Sequence, residues 1–498
     1  MRTTLLSLAL FLVPPAAATS EHLVLVEPGD AASYLPAARA MAELRHAELI
    51  EIDSRDREAL ASLLRDHFPR SVVFVLPPSS IDVDLCRDIL EISATLDDDP
   101  FQDFEHSFVT GRDGQAASAF VAAIVAARVR KPGRTAGLLG SWEGAVAPAP
   151  ADLTVARRLA LELDQRYVLV GDTEEKRTAQ ARAALAAFET KDLLILFSHG
   201  YPDRMVACFE GSDLHPWGVR FPGATVVNCC CYGGAPGRWV EATGSGATDR
   251  GEVPRDRSVA LGMLDTGLAC YFAGIDPWHG WLANQVIVHL VDQGVTAGAT
   301  SKHMADRLAL EFLPGRIDFA PALEQRFEGE GTGNRRRNGA SMILYGDPDH
   351  APFAKGASRL FHGRIETEGE DLRITMGIKP LLDGLPSSDF LLAVCALTDY
   401  YSVKTSDILH ELGTEVYRVF DVPGGMTAAP RLRVVSARAG DTDIPTSEPQ
   451  LVLEDWHGEK RLHVRVPIPL RPMGTQEAMQ ICTRGIEIVL APVTESER

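Results

Sequence analysis

The sequence predicts an α/β protein: a doubly wound, mostly parallel sheet, with an α/β subdomain at its N-terminal side and a β-sandwich after it. Three observations predict this. Through the first 350 or so positions, short apolar runs alternate with segments of helical spacing, which implies parallel strands covered by helices. Several runs are apolar almost throughout, among them Leu193 to Phe197, and Ala224 to Val227 with Thr225 as its one polar residue, as strands buried on both faces are. From about Ser358 the texture changes to short β-branched runs separated by Gly, Pro and Asp, the pattern of a sandwich.

Taken in order, HLVLV (His22 to Val26) reads as a buried strand, AASYLPAARAMAELRHA as a helix with a proline irregularity, and AELIEI as a strand. DREALASLLRDHF has helical spacing, and SVVFVLP (Ser71 to Pro77) is a further strand. A stretch with Pro and Gly from Lys131 to Asp152 marks a subdomain boundary. Leu153 to Leu163 reads as a helix and YVLVGD as a strand. TEEKRTAQARAALAAFE reads as a helix with its N-cap at Asp172 or Thr173. Three apolar strands follow in DLLILFSHG, GATVVNCCCYGG and LACYFAGIDPW; then come two helical segments, WLANQVIVHLVDQG and TSKHMADRLALEFL, and a last strand in SMILYGDP. Gly237 to Asp256, with its clustered charges and Gly244, Ser245 and Gly246, reads as an exposed loop, solvated at Arg250, Arg255 and Arg257. Asp97 to Asp99, and Asp82 with Asp84, read as solvated faces.

Composition bounds the function. The chain has 498 residues, 45% hydrophobic and 23% charged, a globular usage with length for about three domains. Its formal charge of −19 repels polyanions on average, so nucleic acid is not an expected partner. The first residues, MRTTLLSLALFLVPPAAATS, carry one charge at Arg2, an apolar run and small residues up to Ala18. They read as a signal peptide cut after Ala18, so the mature protein is expected to be exported, with no membrane span. The eight cysteines, at 86, 208, 229, 230, 231, 270, 395 and 482, lack the regular spacing of a disulfide framework.

Chemistry is expected where two apolar strands end. In an open α/β sheet, ligands bind beyond the carboxyl ends of the strands, and here one strand ends in Ser198, His199 and Gly200 and another in Asn228 and Cys229 to Cys231. A thiol is mostly protonated at neutral pH, and a neighbouring imidazole can take its proton for attack on an acyl carbon. Gly200 lets a substrate carbonyl approach the backbone. There is no HExxH, Walker-type loop or GxSxG, and three consecutive cysteines converge poorly on one tetrahedral metal. No metal and no cofactor are expected.

These residues resemble a family. An apolar block closing in His-Gly (LILFSHG), then one closing in Asn228, Cys229, Cys230 and, two residues on, Gly233 (TVVNCCCYGG), is similar to the caspase-type cysteine peptidases. The later ACYFAGIDPWHGW and MILYGDP place the match in the gingipain-like branch. The resemblance implies a caspase-like fold with an immunoglobulin-like last domain. It divides the chain into residues 1–18 (signal peptide), 19–135 (N-terminal subdomain), 136–357 (catalytic domain) and 358–498 (β-sandwich). It implies an endopeptidase acting on a protein or peptide substrate. Cys230 is then the nucleophile, His199 the base, and the N–H groups of Gly200 and Cys230 the oxyanion donors. Asp276, Trp278 and Trp281 would line the substrate pocket. Asn228 departs from the commoner acidic residue or Gln. Cys231, which pairs with Gly234 in the same spacing, remains the alternative nucleophile. A non-catalytic binding module and a transpeptidase also remain open.

Overall fold

The computed structural model describes residues 20–28, 31–131, 133–142, 160–243, 246–276, 286–311, 342–356, 358, 361–368, 371–379, 413–422, 426–469 and 484–493. The first 18 residues, most of the helix expected from Leu153, Trp278, Trp281, Arg335 to Arg337, Cys395 and Cys482 lie outside them. The strands in chain order are β1 (His22–Val26), β2 (Glu48–Glu51), β3 (Ser71–Val75), β4 (Glu105–Val109), β5 (Thr135–Trp142), β6 (Glu162–Leu169) and β7 (Leu193–Phe197). Then come β8 (Gly200–Tyr201), β9 (Arg204–Met205), β10 (Phe209–Glu210), β11 (Thr225–Asn228), β12 (Arg238–Thr243), β13 (Gly246–Glu252), β14 (Cys270–Gly274) and β15 (Met342–Gly346).

Ten of these strands form one sheet in the order β2-β1-β3-β4-β15-β14-β11-β7-β5-β6. Every neighbouring pair is parallel except β14 with β15. Two parallel halves therefore run in opposite directions and meet at that antiparallel seam. In each half the second strand lies at the edge and the next crosses back, the doubly wound plan that the alternation predicts. Glu162 and Leu163 begin β6, so the strand starts earlier than YVLVGD, and the last residues of the expected helix, 160–163, are not helical.

The two faces of the central strands carry different cores. Leu194, Leu196, Val226 and Tyr271 point into one cluster, with residues of the helices Ala31–Arg45, Arg57–His67, Val83–Ser93 and Gly114–Ala127. Leu193, Ile195, Val227 and Phe272 alternate into the other, under Leu290, Val291 and Met304. This period of two is the strand signature, and it extends past β11: Cys229 belongs to the second cluster and Cys230 to the first. Helix ends follow local chemistry. Asp56, Asp82, Asp113 and Thr173 each accept a backbone N–H at an N-terminus, which satisfies one of the donors a helix leaves open.

The remaining strands are β16 (Phe361–Glu368), β17 (Asp371–Ile378), β18 (Gly413–Asp421), β19 (Leu432–Ala439), β20 (Thr442–Asp443), β21 (Gln450–Trp456), β22 (Glu459–Pro469) and β23 (Ile486–Pro492). They form two antiparallel sheets, β16-β17-β23-β19-β20 and β18-β22-β21. Ile374, Met376, Ile488 and Leu490 of one sheet share a core with Leu462, Val464 and Val466 of the other, so the last region is a β-sandwich.

A buried polar cluster joins the sandwich to the α/β layer. Lys302, in the helix Ala297–Glu311, holds Asp306 and Glu454 at 2.5 Å each. Glu454 accepts from His463 at 2.8 Å, His463 bonds the Tyr417 hydroxyl at 2.7 Å, and Phe101 stacks on the imidazole at 3.8 Å. Among the described residues no helix is long and apolar enough to cross a membrane.

Two expectations of exposure hold only in part: Asp98 is exposed and Asp84 half-exposed, but their neighbours are not. Asp82 is buried: it caps the helix Val83–Ser93 and pairs with Arg55 at 2.9 Å and Arg238 at 3.2 Å. Asp97 to Asp99 fold back on Asp103, whose carboxylate accepts the N–H of Leu96 and Asp97, and burial raises the Asp99 carboxyl to about 6. Local charge density cannot show that an arginine from far along the chain will arrive to pair with an acid.

Candidate active site

The His and Cys loops leave neighbouring strands, β7 and β11, whose register pairs Asn228 with Leu196. Both loops are therefore delivered to one rim. After β7, the Ser198 hydroxyl donates to the Val206 carbonyl at 2.8 Å and bonds Ser141 of β5 at 2.7 Å. The Val206 N–H returns to the His199 carbonyl at 2.8 Å. These bonds close the small sheet of β8, β9 and β10 over the end of β7. His199 is exposed on it, and Gly200 is buried.

The Cys loop is set by buried hydroxyls and one amide. Asn228 is fully buried; its Oδ1 accepts the Cys230 N–H at 2.9 Å and its Nδ2 donates to the Tyr271 hydroxyl at 2.7 Å. That hydroxyl donates onward to the Gly233 carbonyl at 2.7 Å, and Tyr345 donates to the Gly234 carbonyl at 2.6 Å. The glycines are steric necessities. A Cβ on Gly233 would collide with the Asn228 amide, and one on Gly234 would lie 2.5 Å from Ile343 Cγ2. Tyr232, just before them, takes φ +58°, a left-handed conformation that costs a bulky residue energy and persists only where its surroundings enforce it.

The two loops touch. A Cβ on Gly200 would stand 2.5 Å from Cys230 Cβ and 2.9 Å from the Cys231 carbonyl oxygen, so only a glycine fits there. Cys230 is 1% exposed, and burial pushes its thiol well above the ordinary range, helped by the neighbouring thiols Cys229, Cys208 and Cys231. Cys229, on the opposite face, is likewise raised by burial. Cys231 is partly exposed.

One expected role changes. The Cys230 N–H is engaged by Asn228 Oδ1 and does not point to an open oxyanion site. Asp276 is fully buried, two residues past β14, and its carbonyl accepts the Tyr232 N–H at 3.3 Å. The pocket-lining tryptophans expected with it, Trp278 and Trp281, lie outside the described residues.

Sequence reasoning missed the aromatic residues around these loops. Trp239 has its ring centroid 5.8 Å from Tyr201 and 5.8 Å from Tyr232, both edge-on. It stands on β12, which pairs with β13 as a hairpin, where an irregular exposed loop was expected. The available signal was the run RWVEAT, whose apolar residues alternate imperfectly and give way to Gly and charge. Tyr271 and Tyr345 were legible in part: a tyrosine inside an apolar strand has to find a partner for its hydroxyl.

No family model matches the chain, and no curated protein matches it in sequence. Among solved structures it is similar to the complex of the Porphyromonas gingivalis RgpB pro- and mature domains. The identity is 9% and the TM-score 0.45, over 71% of this chain and 86% of that one. It is also similar to the Arg-specific cysteine proteinase gingipain R, at 10% identity and a TM-score of 0.45, over 74% of this chain and 90% of that one. A likeness of this degree concerns architecture alone.

Proposed function

We propose that the protein is an exported cysteine endopeptidase of the gingipain-like type, with catalytic and sandwich domains near residues 136–357 and 358–498. The observation that carries this reading is the contact between the loops: Gly200, next to His199, abuts Cys230. Cys230 is the nucleophile, His199 the base, and the Gly200 N–H the oxyanion donor. Because burial keeps the thiol protonated in the free protein, its proton passes to the His199 imidazole as sulfur attacks the peptide carbonyl. The C–N bond then breaks, the imidazolium gives its proton to the leaving amine, and water hydrolyses the thioester. No cofactor enters. Asp276, buried beside the Cys loop, would favour a basic side chain before the scissile bond by charge pairing.

A second assignment of the nucleophile has its own support. Cys231 is partly exposed where Cys230 is not, and a reactive cysteine needs access. A peptide-library digest of the wild type, Cys230→Ala and Cys231→Ala, read by mass spectrometry, tests both. Cleavage after basic residues that only Cys230→Ala abolishes is the expected result. Loss confined to Cys231→Ala moves the nucleophile by one residue, and no cleavage by the wild type overturns the peptidase reading.

A further inference from the structure

The hairpin β12–β13 follows the Cys loop directly, and its strands pair only with each other among the described residues. It is held at its base by other means. Arg238 spans Asp82, at 3.2 Å, and Asp249, at 2.7 Å. The Val253 N–H donates to the Gly237 carbonyl at 2.8 Å, with Val253 itself buried. Trp239, next to this anchor, is only partly buried. It bridges Tyr201, which follows His199 and Gly200, and Tyr232, which follows Cys231. Its Nε1–H finds no acceptor among the described residues, whereas a tryptophan placed for the core usually has one. The indole is thus positioned by its ring contacts. The Arg204 guanidinium lies over the Tyr201 ring at 4.9 Å, so the cation-binding face there is taken and a second positive charge is repelled.

We infer that Trp239, with Tyr201, is a specificity-determining wall that receives an aliphatic or aromatic side chain of the peptide, at a position other than the one facing Asp276. This rests on the peptidase reading of the same site and adds a second preference to it. The wall joins both catalytic loops through ring contacts, so a side chain lying against it is registered relative to the reacting carbonyl.

The test uses the full chain and matched peptides that carry Leu, Phe, Ala or Lys at each position flanking one basic residue. Cleavage is measured for the wild type, Trp239→Ala and Trp239→Phe. Binding of fluorescein-labelled copies is measured by anisotropy in the Cys230→Ala/Cys231→Ala background. At one position, Trp239→Ala should cut kcat/KM for Leu and Phe peptides tenfold or more and leave Ala peptides within twofold, with Trp239→Phe near wild type. An unchanged preference, or an equal fall for every peptide, overturns the inference. Should the wild type cleave nothing, the peptidase reading falls and anisotropy decides: Trp239-dependent binding of Leu and Phe peptides over Ala upholds the wall, and equal or absent binding refutes it.

Discussion

Asn228 shows how one side chain can set the course of the Cys loop. Its amide accepts from Cys230 and donates to Tyr271, a pairing that needs one acceptor and one donor on the same short side chain; aspartate lacks the donor. Asn228→Ala leaves the buried Cys230 N–H without its acceptor and takes one donor from the Tyr271 hydroxyl, which still bonds Gly233, so a loss of about 1–3 kcal/mol in chemical denaturation is expected. Gly200→Ala adds a carbon where Cys230 Cβ already stands; overpacking of this kind costs about 1–3 kcal/mol, and peptide cleavage should fall with it as the loops separate. At this scale the sequence was partly readable. The residue types that carry chemistry, a His and a Cys ending apolar strands, were visible because they interrupt an apolar pattern. The hydroxyls of Tyr271 and Tyr345 and the packing need for Gly233 and Gly234 depend on which strands become neighbours, and spacing along the chain does not contain that. The departure at Asn228, visible as a mismatch, becomes intelligible only when Tyr271 is placed beside it.

Elements were legible wherever one period ran for a turn or two of chain. The central strands were marked by uninterrupted apolar runs, and Thr173 was one of the two N-caps expected for its helix. The hairpin β12–β13 was not, because RWVEAT and GATDRGE offer no clean alternation of apolar and polar residues. Asp82 failed for another reason: its partners come from residues 55 and 238, far apart in the chain. Asp82→Ala removes a helix cap worth about 1 kcal/mol and frees the hairpin base at Arg238 from its tether to the helix Val83–Ser93. The expected outcome is a modest fall in melting temperature with a larger change in the Trp239-dependent peptide preference. The π-helical turn Val288–Gln293 makes a pH prediction. His289 is 5% exposed, its ring centroid 3.9 Å from that of His303, and burial lowers its pKa to about 3, with Arg418 and Arg307 adding to the effect. The unfolded chain binds a proton near pH 6.5 and the folded chain does not, so this contribution is complete above that pH and is lost as pH falls toward 3. Denaturation midpoints should decline on acidification from pH 6.5, and less steeply in His289→Gln.

On the scale of the molecule, the cluster around Lys302 ties the sandwich to the helix Ala297–Glu311, which packs on β4 and β15 of the ten-stranded sheet. The ammonium serves Asp306 of its own helix and Glu454 of β21, and removing it would strand two buried carboxylates. Lys302→Met is expected to cost about 3–5 kcal/mol and to expose the joint between the layers to limited proteolysis. The fold class came through from texture alone, since strand and helix periods differ and the β-branched region begins abruptly. The order of strands, and the seam where β14 meets β15 antiparallel, did not, since nothing local distinguishes a strand that extends one half from a strand that joins the two.

The proposal as a whole depends on sulfur and imidazole acting together across the loops that Gly200 brings into contact. Labelling with a peptidyl acyloxymethyl ketone under reducing conditions, followed by peptide mapping, asks this of the intact protein. Modification confined to one residue, Cys230, and abolished by His199→Ala is the predicted result. No adduct on Cys230 or Cys231, or an adduct whose rate His199→Ala leaves unchanged, would contradict it.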